Sequence, residues 1–224
     1  MLLHLAGIIA PDQLPIISAA LGSARFIDGK LSAGVSARAV KHNEELDQHD
    51  EVALHLSKIV VGSLYHNPVF RSAALPQRIS TPYFARYTQG MGYGDHIDDP
   101  VMGASGERYR ADIAVTVFLS APETYQGGEL IINTSFGTQA VKLAAGDAVI
   151  YPASSRHRVA PVTQGARLVA VAWIQSLVRD PARRELLHEL NAAREALLRA
   201  APSDITTAQV DHSYVNLVRM WSEV

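Results

Sequence analysis

The chain has 224 residues, 48% of them hydrophobic, with 20 basic against 22 acidic side chains and a net charge of −2. That length suits a single core with a small appendage, and the balanced charge, with no long basic run, leaves no nucleic-acid footprint. Cysteine is absent, which excludes disulfides, thiolate zinc sites and iron–sulfur clusters.

Residues 2–9 read as a short buried strand. The first basic residue after the start is Arg25 and Pro11 cuts the apolar stretch short, so no signal peptide is expected. No apolar run is long enough to span a bilayer, and a cytoplasmic protein without membrane contact is the expectation. Pro11 to Leu21 reads as a helix with Ile16, Ile17, Ala20 and Leu21 on one face. Phe26-Ile27-Asp28-Gly29-Lys30 reads as a strand ending in a turn, followed by a polar irregular segment to residue 46. From Asp47 to His66, Val52, Leu56, Ile59, Val60 and Leu64 recur at helical spacing, and Asn67-Pro68 ends that helix. From about 77 to 177 the pattern changes to strands: 78–89, 110–119, 129–133, 138–143, 148–151 and 168–176. Glycine turns at Gly127-Gly128, Gly137, Gly146-Asp147 and Gly165 separate them, as in a sandwich or barrel. Asp180-Pro181 pairs a cap with a first-turn proline, and Leu186, Leu187, Leu190, Leu197 and Leu198 form an apolar stripe. After a break at 201–204 a second helix carries Val210, Tyr214, Leu217, Val218 and Trp221. Two such amphipathic faces must be covered, either by the chain's own sheet or by a second copy, which leaves a homo-oligomer through the C-terminal helices open.

The chemistry concentrates in Tyr87-Thr88-Gln89-Gly90-Met91-Gly92-Tyr93-Gly94-Asp95-His96-Ile97-Asp98. Side chains two apart on an extended segment share a face, so His96 and Asp98 can grip one metal ion from one side. They cannot close its coordination shell, and His157 is the best candidate for a third ligand. Two histidines and one carboxylate form a facial set with open positions, the signature of non-haem Fe(II) oxygenases. Arg167 opens a strand that could return a guanidinium to the same cavity, where it would clamp a carboxylate. The bland alternatives are an exposed acidic loop around His96, a basic surface patch at Arg156-His157-Arg158, and a strand-edge cap at Arg167. Arg110, Asp112 and Thr116 share a strand face and suggest a weaker pocket-lining role.

The ordered set Tyr87-x2-Gly90-x2-Tyr93-x2-His96-x-Asp98, then His157 and Arg167, resembles the Fe(II)/2-oxoglutarate-dependent dioxygenases of the prolyl 4-hydroxylase-like group. More narrowly, the chain resembles the PKHD-type hydroxylases, also called iron-uptake factors. Arg110-Ala111-Asp112, Tyr125-Gln126-Gly127-Gly128-Glu129-Leu130, Gly146 to Pro152 and Ala172 to Ser176 carry the likeness over nearly the whole chain. It implies an α+β fold: a distorted double-stranded β-helix, or jelly roll, at about 77–177, backed by N-terminal helices. The dioxygenase domain would span 1–177 and a helical extension 178–224.

The resemblance further implies Fe(II) on His96, Asp98 and His157, and 2-oxoglutarate with its distal carboxylate on Arg167 and Tyr87. Ascorbate would act as an auxiliary reductant. The reaction would consume O2 and hydroxylate a small molecule or a peptide or protein residue, with succinate and CO2 as co-products, and a link to iron uptake comes with the family label. Many wider relatives place Lys where this chain has Arg167; either cation holds a carboxylate. Related halogenases replace the ligand carboxylate with a small residue, so Asp98 argues for hydroxylation. Two other readings remain: a cupin-type dioxygenase that needs no 2-oxoglutarate, and a non-catalytic iron-binding or iron-sensing module. A zinc hydrolase is disfavoured, because no general-base glutamate stands near a ligand. Substrate choice is expected to lie in loops such as 100–108 and 134–137.

Overall fold

The alternating apolar stretches at 113–118 and 167–176 lie side by side at the centre of the computed structural model, which describes residues 1–224 save the side chain of Ser36. In chain order the first third contains β1 (Leu3–Leu5), α1 (Leu14–Ser23), β2 (Phe26–Asp28), a 3-10 turn (Gly29–Ser32), α2 (Val35–Arg38), β3 (Lys41–His42), β4 (Glu44–Leu46), α3 (Glu51–His66) and α4 (Pro68–Ala74). The middle is β5 (Pro76–Ile79), β6 (Tyr83–Tyr87), β7 (Gly92–His96), β8 (Val101–Met102), β9 (Tyr109–Arg110), β10 (Ile113–Phe118), β11 (Tyr125–Gly127), β12 (Leu130–Thr134) and β13 (Gly137–Val141). Then follow β14 (Ala148–Pro152), β15 (His157–Val159), β16 (Val162–Gly165), β17 (Arg167–Ser176), α5 (Pro181–Ala200) and α6 (Ile205–Trp221).

A major sheet runs β1-β14-β10-β17-β6-β4-β2, with β5 also on β17, and a minor sheet runs β13-β12-β15-β7-β3. The paired strands are antiparallel. Strand residues alternate between faces, and the two faces of the major sheet bury different cores. Phe84, Val115, Ala170 and Ile174 pack under Ile17 and Leu21 of α1, Leu56, Val60 and Leu64 of α3, and Phe70 of α4. Ala85, Tyr87, Ala114 and Val169 instead face Leu130, Ile132 and Val159 of the minor sheet. This is the α+β architecture expected from the sequence, with helices behind one sheet and the site between the two.

Several local expectations are corrected. The helix expected from Asp47 starts at Glu51, because Asp50 caps it by accepting from Val52 N at 2.8 Å. Asn67 ends α3 but also starts α4, its side chain accepting from Phe70 N at 2.8 Å. The expected strand 78–89 is two strands, β5 and β6, interrupted at Ser80–Pro82, where Ser80 Oγ accepts from Trp173 N at 3.0 Å. The polar stretch before residue 46 is not irregular: it forms β3 of the minor sheet and β4 of the major one, and so closes one side of the space between them.

The tail is helical as expected. Asp180 caps α5 by accepting from Ala182 N and Arg183 N, and Arg194 Nε donates to Asp211 Oδ1 at 2.6 Å to join α5 to α6. Leu187 is buried while Leu186 is exposed, so only part of the stripe is covered. No helix among the described residues is long and apolar enough to cross a membrane.

Candidate active site

His96 closes β7 and His157 opens β15, and these strands pair with the two histidines directly opposite. Asp98 follows β7 by two residues and turns its carboxylate to the same point. Its Oδ1 lies 4.0 Å from His96 Nε2 and 3.8 Å from His157 Nε2, and one ligand atom from each residue fits within 4.8 Å of the others. His96 Nδ1 sits 2.8 Å from the Gly94 carbonyl and His157 Nδ1 2.9 Å from that of Ser155. A carbonyl only accepts, so each Nδ1 carries the proton and each Nε2 turns its lone pair to the shared point. The Tyr93 ring stacks on His96 with centroids 3.7 Å apart and fixes the imidazole plane.

Electrostatics favour a cation there. Burial, then the neighbouring His157, pushes the His96 imidazole down to about 4, so it is neutral and ready to coordinate. Burial pushes the Asp98 carboxyl up, and its Oδ2 is buried without a hydrogen-bond partner among the described residues. The Trp173 indole N–H approaches and favours the ionised form, yet Nε1 closes no hydrogen bond either. Two imidazoles whose Nε2 atoms face one point and an under-satisfied carboxylate form a donor set suited to a divalent transition metal.

Arg167 opens β17 opposite Tyr87 of β6. It is 1% exposed, and its Nε and Nη1 have no partner. The guanidinium lies 5.0 Å from the Tyr87 ring centroid and 5.6 Å from that of Phe118. The Tyr125 hydroxyl beside it is also without a partner. Burial lowers the Arg167 pKa, while the phenols of Tyr87, Tyr125 and Tyr151 raise it. No carboxylate among the described residues pairs with it. A buried cationic fork lacking an anion is costly, and it matches the two-pronged geometry of a carboxylate ligand. Gly128, at φ +68, leaves the necessary room: a Cβ there would stand 3.0 Å from Arg167 Cδ.

His96 and Asp98 sit in the wall of a cleft of about 720 Å³, lined also by Tyr83, Tyr93, Tyr109 and Trp173. Of the two loops expected to choose substrate, 100–108 supplies Val101 to Ala104 and Glu107 to this lining. The other, 134–137, is the tip of the β12–β13 hairpin with Phe136 wholly exposed, and it is not part of the lining. Arg110 and Asp112 do not line the cleft either. Arg110 Nε donates to Asp112 Oδ1 at 2.7 Å, and Asp112 Oδ2 accepts from Ser176 N at 2.9 Å, so the pair ties β9 to the end of β17. Sequence reading missed the β3–β4 residues Lys41, Asn43 and Glu45, which are all buried.

The sequence pattern of the 2OG-Fe(II) oxygenase superfamily matches residues 82–175. A PKHD-type hydroxylase of Thioalkalivibrio sulfidiphilus is 53% identical over 224 residues, covering the whole of both chains. This chain belongs to the PKHD-type hydroxylases. Another PKHD-type hydroxylase, from Synechococcus elongatus, is 42% identical over 223 residues, again over the whole of both chains. Among solved structures, a Pseudomonas putida prolyl-4-hydroxylase is similar at 15% identity and TM-score 0.55, covering 78% of this chain and 92% of that one. A prolyl hydroxylase from Trichoplax adhaerens is similar at 15% identity and TM-score 0.57, covering 83% and 86%. These two likenesses concern the fold. Membership of the oxygenase family makes this PKHD-type chain a 2-oxoglutarate-dependent dioxygenase, with Fe(II) and 2-oxoglutarate as the implied metal and co-substrate.

Proposed function

We propose that His96, Asp98 and His157 hold the ferrous ion, and that Arg167 and Tyr87 hold the distal carboxylate of 2-oxoglutarate. The enzyme then hydroxylates a C–H bond of a small molecule or a peptide or protein residue seated in the cleft, releasing succinate and CO2. When bound, Fe(II), 2-oxoglutarate and O2 together supply the oxidising chemistry. The chain's residues bind and orient. Gly94 and Ser155 carbonyls fix the histidine tautomers, Tyr93 holds the His96 ring, and the buried Arg167 fork sets the co-substrate's far end. Tyr83, Tyr109 and Trp173 line the space a substrate would occupy.

The observation that carries this reading is the convergence of three ligand atoms within 4.8 Å, with the outer nitrogen of each imidazole already committed. The orphaned Arg167 fork supports the 2-oxoglutarate reading over an oxygenase that does without it. The test is anaerobic addition of Fe(II) and 2-oxoglutarate. A weak visible charge-transfer band is expected, and it should vanish in Asp98→Ala; no band in the unaltered protein would overturn the reading.

The same proposal places the dioxygenase domain at 1–177 and a helical extension at 178–224. It includes ascorbate as an auxiliary reductant, cytoplasmic residence, and self-association through the C-terminal helices. A role in iron uptake rests on the family label alone. A screen for compounds that raise succinate output would identify the substrate.

A further inference from the structure

A single row of residues crosses the inner face of the major sheet. β6 and β17 place Tyr87 opposite Arg167. β4 and β6 pair Glu44 with Arg86 and Glu45 with Ala85, so one step further along the same register Asn43 stands opposite Tyr87. β2 and β4 pair Asp28 with Glu44, and Gly29 N donates to Asn43 O at 2.9 Å, which brings Gly29 to the other side of Asn43. Directly opposed residues of antiparallel strands share a face. The row therefore reads Gly29, Asn43, Tyr87, Arg167.

Asn43 is 3% exposed, and neither its Nδ2 nor its Oδ1 has a hydrogen-bond partner among the described residues. Such a buried amide costs stability unless it serves something. It is held tightly: a Cβ on Gly29 would stand 2.0 Å from Asn43 Oδ1. The other side of the amide approaches the Tyr87 hydroxyl and favours its ionised form, the direction given by a donated N–H, while burial as the larger influence keeps that phenol protonated, up to about 12. A phenol oxygen can accept one N–H while donating its own proton. An Asn43 N–H donated to that oxygen would turn the phenol's own proton away from β4.

We infer that Asn43 is a positioning residue: its amide N–H donates to the Tyr87 hydroxyl and so aims the Tyr87 proton at the carboxylate that Arg167 binds. This rests on the 2-oxoglutarate reading above. It gives the N-terminal segment, which lies outside the 82–175 superfamily match, a part in holding the co-substrate.

The test compares 2-oxoglutarate binding to the Mn(II)-substituted protein by calorimetry in the unaltered enzyme, Asn43→Leu, Tyr87→Phe and the double variant. Leucine has nearly the shape of asparagine and removes the unsatisfied amide, so a purely packing role predicts no change in affinity. The expected result is a Kd raised about tenfold in Asn43→Leu, with the melting temperature of the metal-free protein unchanged or raised. Asn43→Leu should add nothing in the Tyr87→Phe background. Binding of 2-oxobutyrate, which lacks the distal carboxylate, should not change. Gly29→Ala, which displaces the amide without removing it, should weaken 2-oxoglutarate binding in the same direction and tests the idea if Asn43→Leu fails to fold. Equal affinities in the unaltered enzyme and Asn43→Leu, or an equal loss in the Tyr87→Phe background, would overturn the inference alone. Failure of the unaltered protein to bind 2-oxoglutarate would overturn the co-substrate reading beneath it.

Discussion

Tyr87 and Arg167 face one another across the β6–β17 pair, and the guanidinium lies 5.0 Å from the tyrosine ring centroid with two of its nitrogens unpartnered. On the proposed function, a charge so placed serves a ligand rather than the fold. Arg167→Leu should therefore weaken 2-oxoglutarate binding about 100-fold, the scale of a lost two-pronged charged pair. The metal-free protein should be as stable as before, or more so, because an apolar side chain replaces a buried unpaired cation. Arg167→Lys should lose less, about tenfold, since an ammonium keeps the charge but not the fork. Calorimetry with 2-oxoglutarate and thermal melts check the two halves separately. A large fall in stability with unchanged affinity would mean that Arg167 is structural.

Asp98 separates metal binding from folding in the same way. Its carboxyl is pushed up by burial and one oxygen has no partner. Asp98→Asn keeps the shape and removes the charge. Its affinity for Mn(II) should fall about 100-fold or more, beyond what loss of a supporting hydrogen bond costs, and turnover should fall with it. The metal-free variant should melt no lower than the unaltered protein. Retained metal affinity would remove Asp98 from the ligand set.

The convergence of His96 and Asp98 was legible because side chains two apart on extended backbone share a face, although β7 itself ends at His96; the meeting with His157 depends on the β7–β15 pairing, which no local spacing gives. Arg167 was legible as a lone charge at the head of an apolar strand. Lys41, Asn43 and Glu45 were not. Polar residues in a strand normally mark its solvent side, and Lys41-His42-Asn43-Glu44-Glu45-Leu46 reads as a surface loop by that rule. Here the inner face borders a polar cavity, so the sign of the pattern is reversed. Helix α4 was hidden for another reason: Asn67-Pro68 is both a stop for α3 and a start signal, and sequence alone does not say that both apply.

Behind the site, Lys41 Nζ meets Glu45 Oε1 at 2.5 Å and Ser32 Oγ at 2.7 Å, while Ser32 Oγ donates to Glu45 Oε2 at 2.6 Å. Lysine and glutamate are each 6% exposed. Lys41→Met would leave Glu45 charged, buried and unpaired, which should cost about 3–5 kcal/mol of stability. Lys41→Met with Glu45→Leu removes both charges and should recover most of that loss. Urea denaturation of the two variants distinguishes a coupled pair from two independent surface-like charges; additive losses would contradict the closed network.

Acid should loosen the metal-free protein partly through His96. Its imidazole takes up a proton near 6.5 when unfolded but only at about 4 in the folded protein, because burial and His157 oppose the charge. Between those values the unfolded chain binds more protons, so stability rises with pH. His96 costs nothing on this account above about 6.5, and its penalty grows as the pH falls toward about 4, to an upper limit of about 3 kcal/mol. The Asp98 carboxyl works in the opposite direction: its raised pKa means the folded state takes its proton first, which favours folding in acid. Comparison with His96→Gln isolates the imidazole. Relative to that variant, the unaltered metal-free protein should lose stability as the pH falls from about 6.5 to about 4, and the two denaturation curves should converge above that range. Parallel curves throughout would mean that residue 96 is not held neutral by its surroundings.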